Sequence, residues 1–284
     1  MLPLFAAWGQ AADAPEDSAF PAYCLPHTEV RSLHSAVTEI DYTLYVSLPR
    51  QYAGTNKAYP VVFVLDADYA FALAHNIIEH LVDRRNLPEM MVVGIAYAGA
   101  SQVLPVYRHN RTRDYTPTHT LDGGYGPEFQ KFSGGGEQFR RFIVTELIPF
   151  IAAQYRVKPN DRTLVGHSYG GLFATYLLLT NPEAFQRYII VSPSYWYDHR
   201  VIFTFEAQAA TGRQQLPARV FLAVGSQENP IMAQDLEQFA TVLASRKYQG
   251  LQMSSRIFPD ENHNSVFPAA LTRGLRVVFE GETP

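Results

Sequence analysis

The sequence predicts a doubly wound, mostly parallel α/β sheet with helices on both faces, closed into one large domain over residues 23–284. Three observations lead there. Continuous apolar runs recur along the chain, strand-like and helix-like segments alternate after them, and 284 residues with 47% hydrophobic and 18% charged content can bury such a core.

Residues 30–48 alternate apolar and polar side chains, are rich in β-branched and aromatic types, and break at Pro49. That pattern predicts a pair of antiparallel edge strands. Pro60 introduces Val61-Val62-Phe63-Val64-Leu65, a run suited to a strand buried on both faces, and residues 90–96 form a second such run. Between them, over residues 69–82, Leu73, Ile77 and Leu81 stand four apart, which predicts a crossover helix laying that face on the sheet. The alternation continues with a helix over 137–154, a strand at 162–165, a helix at 170–179 and a strand at 188–191. A strand at 220–224, a helix at 231–246, a strand at 252–258 and a helix at 265–279 complete it. Residues 99–136 stand apart, being rich in Gly, Pro, Tyr and Arg without a clear period. They read as a long loop insertion, and such a loop in a compact domain is usually a lid or a substrate wall.

Composition narrows the partners. A net charge of −4 leaves no basic field for a phosphate backbone, so nucleic acid is not an expected partner. Cys24 is the only cysteine, which excludes an intramolecular disulfide and a cysteine-based metal site. No metal and no cofactor are expected. Residues 1–22 read as a flexible N-terminus or the remnant of a leader: the first fourteen carry a short apolar run and small residues, but no basic start. A leader would place the mature chain in the periplasm or outside the cell; without one it is cytoplasmic. No stretch approaches the roughly 20 apolar residues that a membrane span needs.

The chemistry centres on Gly166-His167-Ser168-Tyr169-Gly170, a G-x-S-x-G sequence set between the strand at 162–165 and the helix that follows. A nucleophile elbow forces its serine into a strained turn where strand and helix nearly touch, so the neighbours must be small. A serine hydroxyl needs a base, which folds with such an elbow supply after the last strand. His263 is placed there, in Phe258-Pro-Asp-Glu-Asn-His263. Of the nine histidines, His75 and His80 fall within a helix, and His34, His109 and His119 fall in strand or loop. His167 adjoins the serine, but an elbow turns its neighbours away, so it is expected to pack behind the turn.

The orienting acid should follow the penultimate strand. Glu228 fits, with Asp235 and Glu237 as alternatives, and the competing role for Glu228 is to cap the next helix. Two backbone donors are needed for the oxyanion. The N–H of Tyr169 is the first and that of Asp68 the second. Asp66 and Asp68 could suggest a metal, but with no histidine nearby they are assigned to loop structure.

Taken together, residues 59–68 (Tyr-Pro-Val-Val-Phe-Val-Leu-Asp-Ala-Asp), 166–171 (Gly-His-Ser-Tyr-Gly-Gly), 192–196 (Ser-Pro-Ser-Tyr-Trp) and Glu261-Asn262-His263 resemble the putative esterase (esterase D) family of α/β-hydrolases. The resemblance covers residues 37–279 and is greatest to the branch of siderophore esterases that open catecholate trilactones. It implies the α/β-hydrolase fold and ester hydrolysis without a cofactor. Ala67 departs from the family, where many relatives carry Gly, and some relatives in that branch work with a weak or absent acid.

The expected activity is that of a serine carboxylic-ester hydrolase working through an acyl-enzyme on a small-molecule ester. The alternatives are an acyltransferase and a noncatalytic binding protein on the same fold. Tyr97, Tyr107, Arg111, Arg113 and Tyr115 precede the elbow, and Tyr195, Trp196 and Tyr197 follow the strand after it. Both groups should reach the carboxyl edge of the sheet, where ligands bind. An aromatic or bulky ester, a siderophore lactone among them, is therefore expected, with Arg111, Tyr195 and Trp196 as substrate contacts; the competing role for these aromatics is to pack the loop onto the body.

Overall fold

The computed structural model describes residues 22–99 and 103–282. The leader reading at the N-terminus therefore falls almost wholly outside the described residues.

The described residues form one eight-stranded sheet in the order β1-β2-β4-β3-β5-β6-β7-β8, numbered along the sequence. Its strands are β1 (Thr28–His34), β2 (Asp41–Ser47), β3 (Tyr59–Val64), β4 (Met91–Tyr97), β5 (Val157–His167), β6 (Arg187–Val191), β7 (Arg219–Gly225) and β8 (Gln252–Phe258). From β4 to β8 every pairing is parallel. The N-terminal hairpin adds antiparallel, β1 at the very edge and β2 against β4. The fold is that of an α/β-hydrolase.

The apolar runs are continuous because both faces of the central strands are covered. In β3 and the residue that follows it, Val61, Phe63 and Leu65 join one core cluster while Val62 and Val64 join the other. β7 divides in the same way, with Val220, Leu222 and Val224 opposite Phe221 and Ala223. Helices α1 (Ala67–Asp83) and α9 (Val266–Val278) cover one face; α6 (Tyr169–Thr180) and α8 (Pro230–Ser245) cover the other. α6 is buried on every side from Tyr169 to Leu179, which accounts for its uniformly apolar sequence. The helix expected over 137–154 is present as α4 (Gly136–Phe142) and α5 (Ile148–Gln154), joined by a π-helical turn at Ile143–Leu147. Pro149 sits just inside α5, where it has no N–H to give to the ladder.

Two expectations need correction, and one helix had no expectation to meet. Of the expected α1 face Leu73-Ile77-Leu81 only Leu81 is buried: Ile77 is half-buried, Leu73 is 38% exposed, and the buried line is Ala67, Ala70, Phe71, Ala74, His75, Ile78 and Leu81. Alanines win this face because α1 lies tight on β4, where a Cβ added to Gly94 would stand 2.7 Å from that of Ala67. The segment at 99–136 is not one long loop. It contains α2 (Leu104–Tyr115) and a short α3 (Pro127–Gln130). What α2 buries is Arg111, Thr112, Asp114 and Tyr115, a largely polar face that leaves no apolar period to read. Finally, α7 (Tyr197–Ala210) fills a stretch to which no element was assigned, its buried side including Glu206, which pairs with Arg246 at 2.7 Å. Among the described residues, no helix is long and apolar enough to cross a membrane.

Candidate active site

The parallel strands deliver their carboxyl ends to one edge, and the site is assembled from the turns that leave them. Ser168 stands between β5 and α6 with φ 60° and ψ −119°, a left-handed backbone that costs a non-glycine residue on the order of 1–3 kcal/mol. The turn closes only because Gly166 has no side chain: a Cβ there would meet the Gly170 carbonyl oxygen at 2.2 Å. The serine backbone is pinned by bonds from its N–H to Val191 O (3.0 Å) and from Leu172 and Ser194 N–H to its own carbonyl (3.0 and 3.1 Å). Its Oγ opens into a cleft of about 280 Å³ that it shares with His263 and His167. Ser168 Oγ meets Ser194 Oγ at 3.5 Å.

His263 lies in the turn between β8 and α9, which Asn262 shapes by accepting bonds from the Asn264 and Ser265 amides at 2.9 and 3.2 Å. Its Nδ1 is 2.7 Å from Glu228 Oε2. Glu228 leaves β7 three residues after Gly225, and its side chain is 1% exposed. The other carboxylate oxygen accepts from Ser192 Oγ at 2.5 Å and Gly225 N–H at 2.7 Å. Burial opposes its ionisation, but the bonds from His263, Ser192 and Gly225 outweigh burial and hold the carboxyl below its ordinary range. The competing role is taken by another residue, since Asn229 caps α8 by accepting from Ile231 N–H. Asp235 is engaged by Arg200 at 2.7 Å and Glu237 is exposed, so the structure brings neither to His263.

His167 does not pack behind the turn. Its ring lies 4.6 Å, centroid to centroid, from that of His263, and its Nδ1 is 2.9 Å from the Tyr69 hydroxyl. Burial, then the neighbouring charges of His263 and Arg111, push its pKa down to about 3. It stays neutral near pH 7.

The predicted oxyanion donors lie at two abutting helix starts. Tyr169 opens α6, and Asp68 lies in the first turn of α1, whose N-cap is Asp66 at φ 54°. An added Cβ on Gly170 would stand 3.2 Å from Asp66 Oδ2, so the two N-termini meet. The Asp68 carboxyl finds no hydrogen-bond partner among the described residues, and burial, then the charge of Asp66, raise its pKa to about 6. A carboxyl that holds its proton more tightly folded than unfolded weakens the fold as pH rises from about 4 to about 6. Asp68→Asn should therefore raise the Tm at pH 8 and leave it nearly unchanged at pH 4. Equal shifts at both pH values, read by thermal denaturation, would refute the buried-carboxyl account.

The expected substrate contacts fare unevenly. Arg111 reaches the cleft wall, but its guanidinium is engaged: Nε and Nη2 donate to the two Asp66 oxygens at 3.0 Å each, and Nη1 donates to the Tyr125 hydroxyl. With side-chain exposures of 4% and 0%, Arg111 and Asp66 form a buried ion pair that also takes a bond from the Tyr107 hydroxyl at 2.9 Å. Tyr195 is fully buried, bonded to Thr175 Oγ1 and packed on Phe239, away from the cleft. Trp196 is half-buried against Tyr169 and is not among the side chains lining the cleft. Tyr97, Tyr115 and Tyr197 are core residues, and Arg113 pairs with Asp114. Of the aromatics named from sequence, Tyr107 alone lines the cleft, joined by Tyr69, Tyr125 and Phe267, which that reading passed over. Their only sequence signal was proximity to Asp66, to the 99–136 segment and to His263.

Comparison with known proteins agrees with this architecture. Residues 35–276 match the family model described as Putative esterase. The chain is 31% identical over 290 residues to the ferri-bacillibactin esterase BesA of Bacillus subtilis, covering 97% of each. Among solved structures it is similar to the BES protein of Bacillus cereus (TM-score 0.81, 28% identity, 92% of this chain and 99% of that one). It is also similar to an IroE-like serine hydrolase of Shewanella oneidensis (TM-score 0.80, 29% identity, 89% and 80%).

Proposed function

Because the chain belongs to the Putative esterase family and is an esterase of the serine-hydrolase type, we propose that it cleaves an aromatic or bulky ester through an acyl-enzyme on Ser168. The observation that carries the mechanism is the 2.7 Å contact between Glu228 and His263 Nδ1, on an imidazole that shares its cleft with the strained serine. With Nδ1–H held by the carboxylate, Nε2 is left unprotonated and can take the serine proton as Oγ attacks the ester carbonyl. The Tyr169 and Asp68 amides stabilise the oxyanion, helped by the positive ends of two helices. The protonated imidazole, stabilised by Glu228, then gives its proton to the leaving alcohol. Water activated by the same histidine releases the acid and frees the serine.

The substrate class rests on the walls. Tyr69, Tyr107, Tyr125 and Phe267 offer flat faces around the nucleophile, which suit an aromatic acyl group better than a long flexible chain. The Bacillus subtilis relative is by name a ferri-bacillibactin esterase, which points the same way, toward a siderophore ester. The test compares kcat/KM for a catechol trilactone, a hydroxycinnamate ester, and short and long p-nitrophenyl alkanoates, with Tyr69→Ala alongside. The aromatic esters should lead, and Tyr69→Ala should narrow their lead. Preference for long alkanoates would refute the substrate class while leaving ester hydrolysis in place.

A further inference from the structure

Ser192 follows β6 directly and takes no part in the acyl transfer just described. It is completely buried, yet its backbone sits at φ 45°, in the left-handed region that a serine enters only at a cost. Its N–H donates to Ala223 O at 2.7 Å, which stitches this strained residue to β7 just ahead of the Glu228 turn. Its hydroxyl donates to Glu228 Oε1 at 2.5 Å, beside the Gly225 N–H that reaches the same oxygen at 2.7 Å. A buried serine could satisfy its hydroxyl on a nearby carbonyl without strain. Here it is spent on the carboxylate oxygen that His263 does not use.

A carboxylate on a two-carbon stem can rotate, and each rotation would offer His263 a different oxygen at a different angle. Two donors fixed to separate backbone segments remove that freedom: with Oε1 occupied from β6 and from β7, only Oε2 faces the imidazole. We infer that Ser192 is a positioning residue for the orienting acid, its hydroxyl locking Glu228 in the rotamer that holds His263 Nδ1. This rests on Glu228 being the acid of the proposed triad. The same bond favours the ionised form of Glu228, which must stay charged as His263 takes up its proton.

The test is a double-mutant cycle on a short p-nitrophenyl ester, using Ser192→Ala, Ser192→Gly, Glu228→Gln and the double variant Ser192→Ala with Glu228→Gln. Ser192→Ala should lower kcat about 10- to 100-fold with KM within about twofold, because the bond acts on the chemical step and not on substrate binding. Glu228→Gln should cost on the order of 10² to 10⁴ in kcat, and adding Ser192→Ala to it should cost less than about twofold more. Ser192→Gly relieves the left-handed strain but lacks the hydroxyl, so its kcat should match that of the alanine variant while its Tm is equal or higher. The inference fails if Glu228→Gln is crippled and Ser192→Ala is not, if the two losses multiply in the double variant, or if glycine restores the activity that alanine lost. Wild-type turnover in Glu228→Gln would overturn the inference together with the choice of acid.

Discussion

Ser168→Ala is expected to lose ester hydrolysis on the order of 10⁶-fold in kcat while keeping its Tm within a few degrees of wild type. The elbow depends on Gly166 and on the backbone bonds of residue 168, none of which involves the hydroxyl, and alanine fills the same space. His263→Ala should fall nearly as far, because nucleophile and base act as one unit and neutral His167, held by Tyr69, cannot take over. Initial rates on an activated ester, with circular dichroism to confirm folding, read both. Turnover in Ser168→Ala within about tenfold of wild type would place the nucleophile elsewhere.

The second large effect concerns stability. Arg111→Ala leaves the buried Asp66 carboxyl with the Tyr107 hydroxyl but without its ion-pair partner, and the Tyr125 hydroxyl also loses its donor. Removing one member of such a pair costs roughly 3–5 kcal/mol, or on the order of 10 °C in Tm for a chain of this length. Activity should fall as well, since Asp66 stands at the start of the helix that carries the proposed Asp68 donor, its carbonyl accepting from the Tyr69 and Ala70 N–H groups. Combining Arg111→Met with Asp66→Asn removes both charges together, and asparagine tolerates the left-handed backbone at that position, so much of the lost stability should return. A melting curve for Arg111→Ala that overlays wild type would show that the pair contributes nothing.

These two sites mark where sequence reading works and where it stops. The central strands were legible because burial on both faces demands an unbroken apolar run, as at Val61–Val64 and again in β7. The turns that carry Ser168, Glu228 and His263 were legible because each follows a particular strand, and the structure brings Glu228 and His263 together at 2.7 Å. α2 was not legible, since its inward face is Arg111, Thr112, Asp114 and Tyr115 and hydropathy does not register a buried ion pair. The same blindness made Arg111 look available to a substrate: its position beside the cleft follows from α2, but whether its guanidinium is already engaged depends on Asp66, 45 residues away. Tyr195 and Trp196 show the corresponding limit for aromatics, whose presence near a site does not say which way the ring turns. Ser192 was quoted only as part of Ser-Pro-Ser-Tyr-Trp, because its contact with Glu228 spans 36 residues.

The claim on which all of this rests is that Ser168 is the activated nucleophile. A fluorophosphonate probe, followed by intact mass and peptide mapping, tests it without assuming a substrate. The expected result is a single adduct on the peptide carrying Ser168, formed in parallel with loss of esterase activity and absent from Ser168→Ala. An adduct on another residue, or full activity in protein labelled to completion at Ser168, would contradict the account.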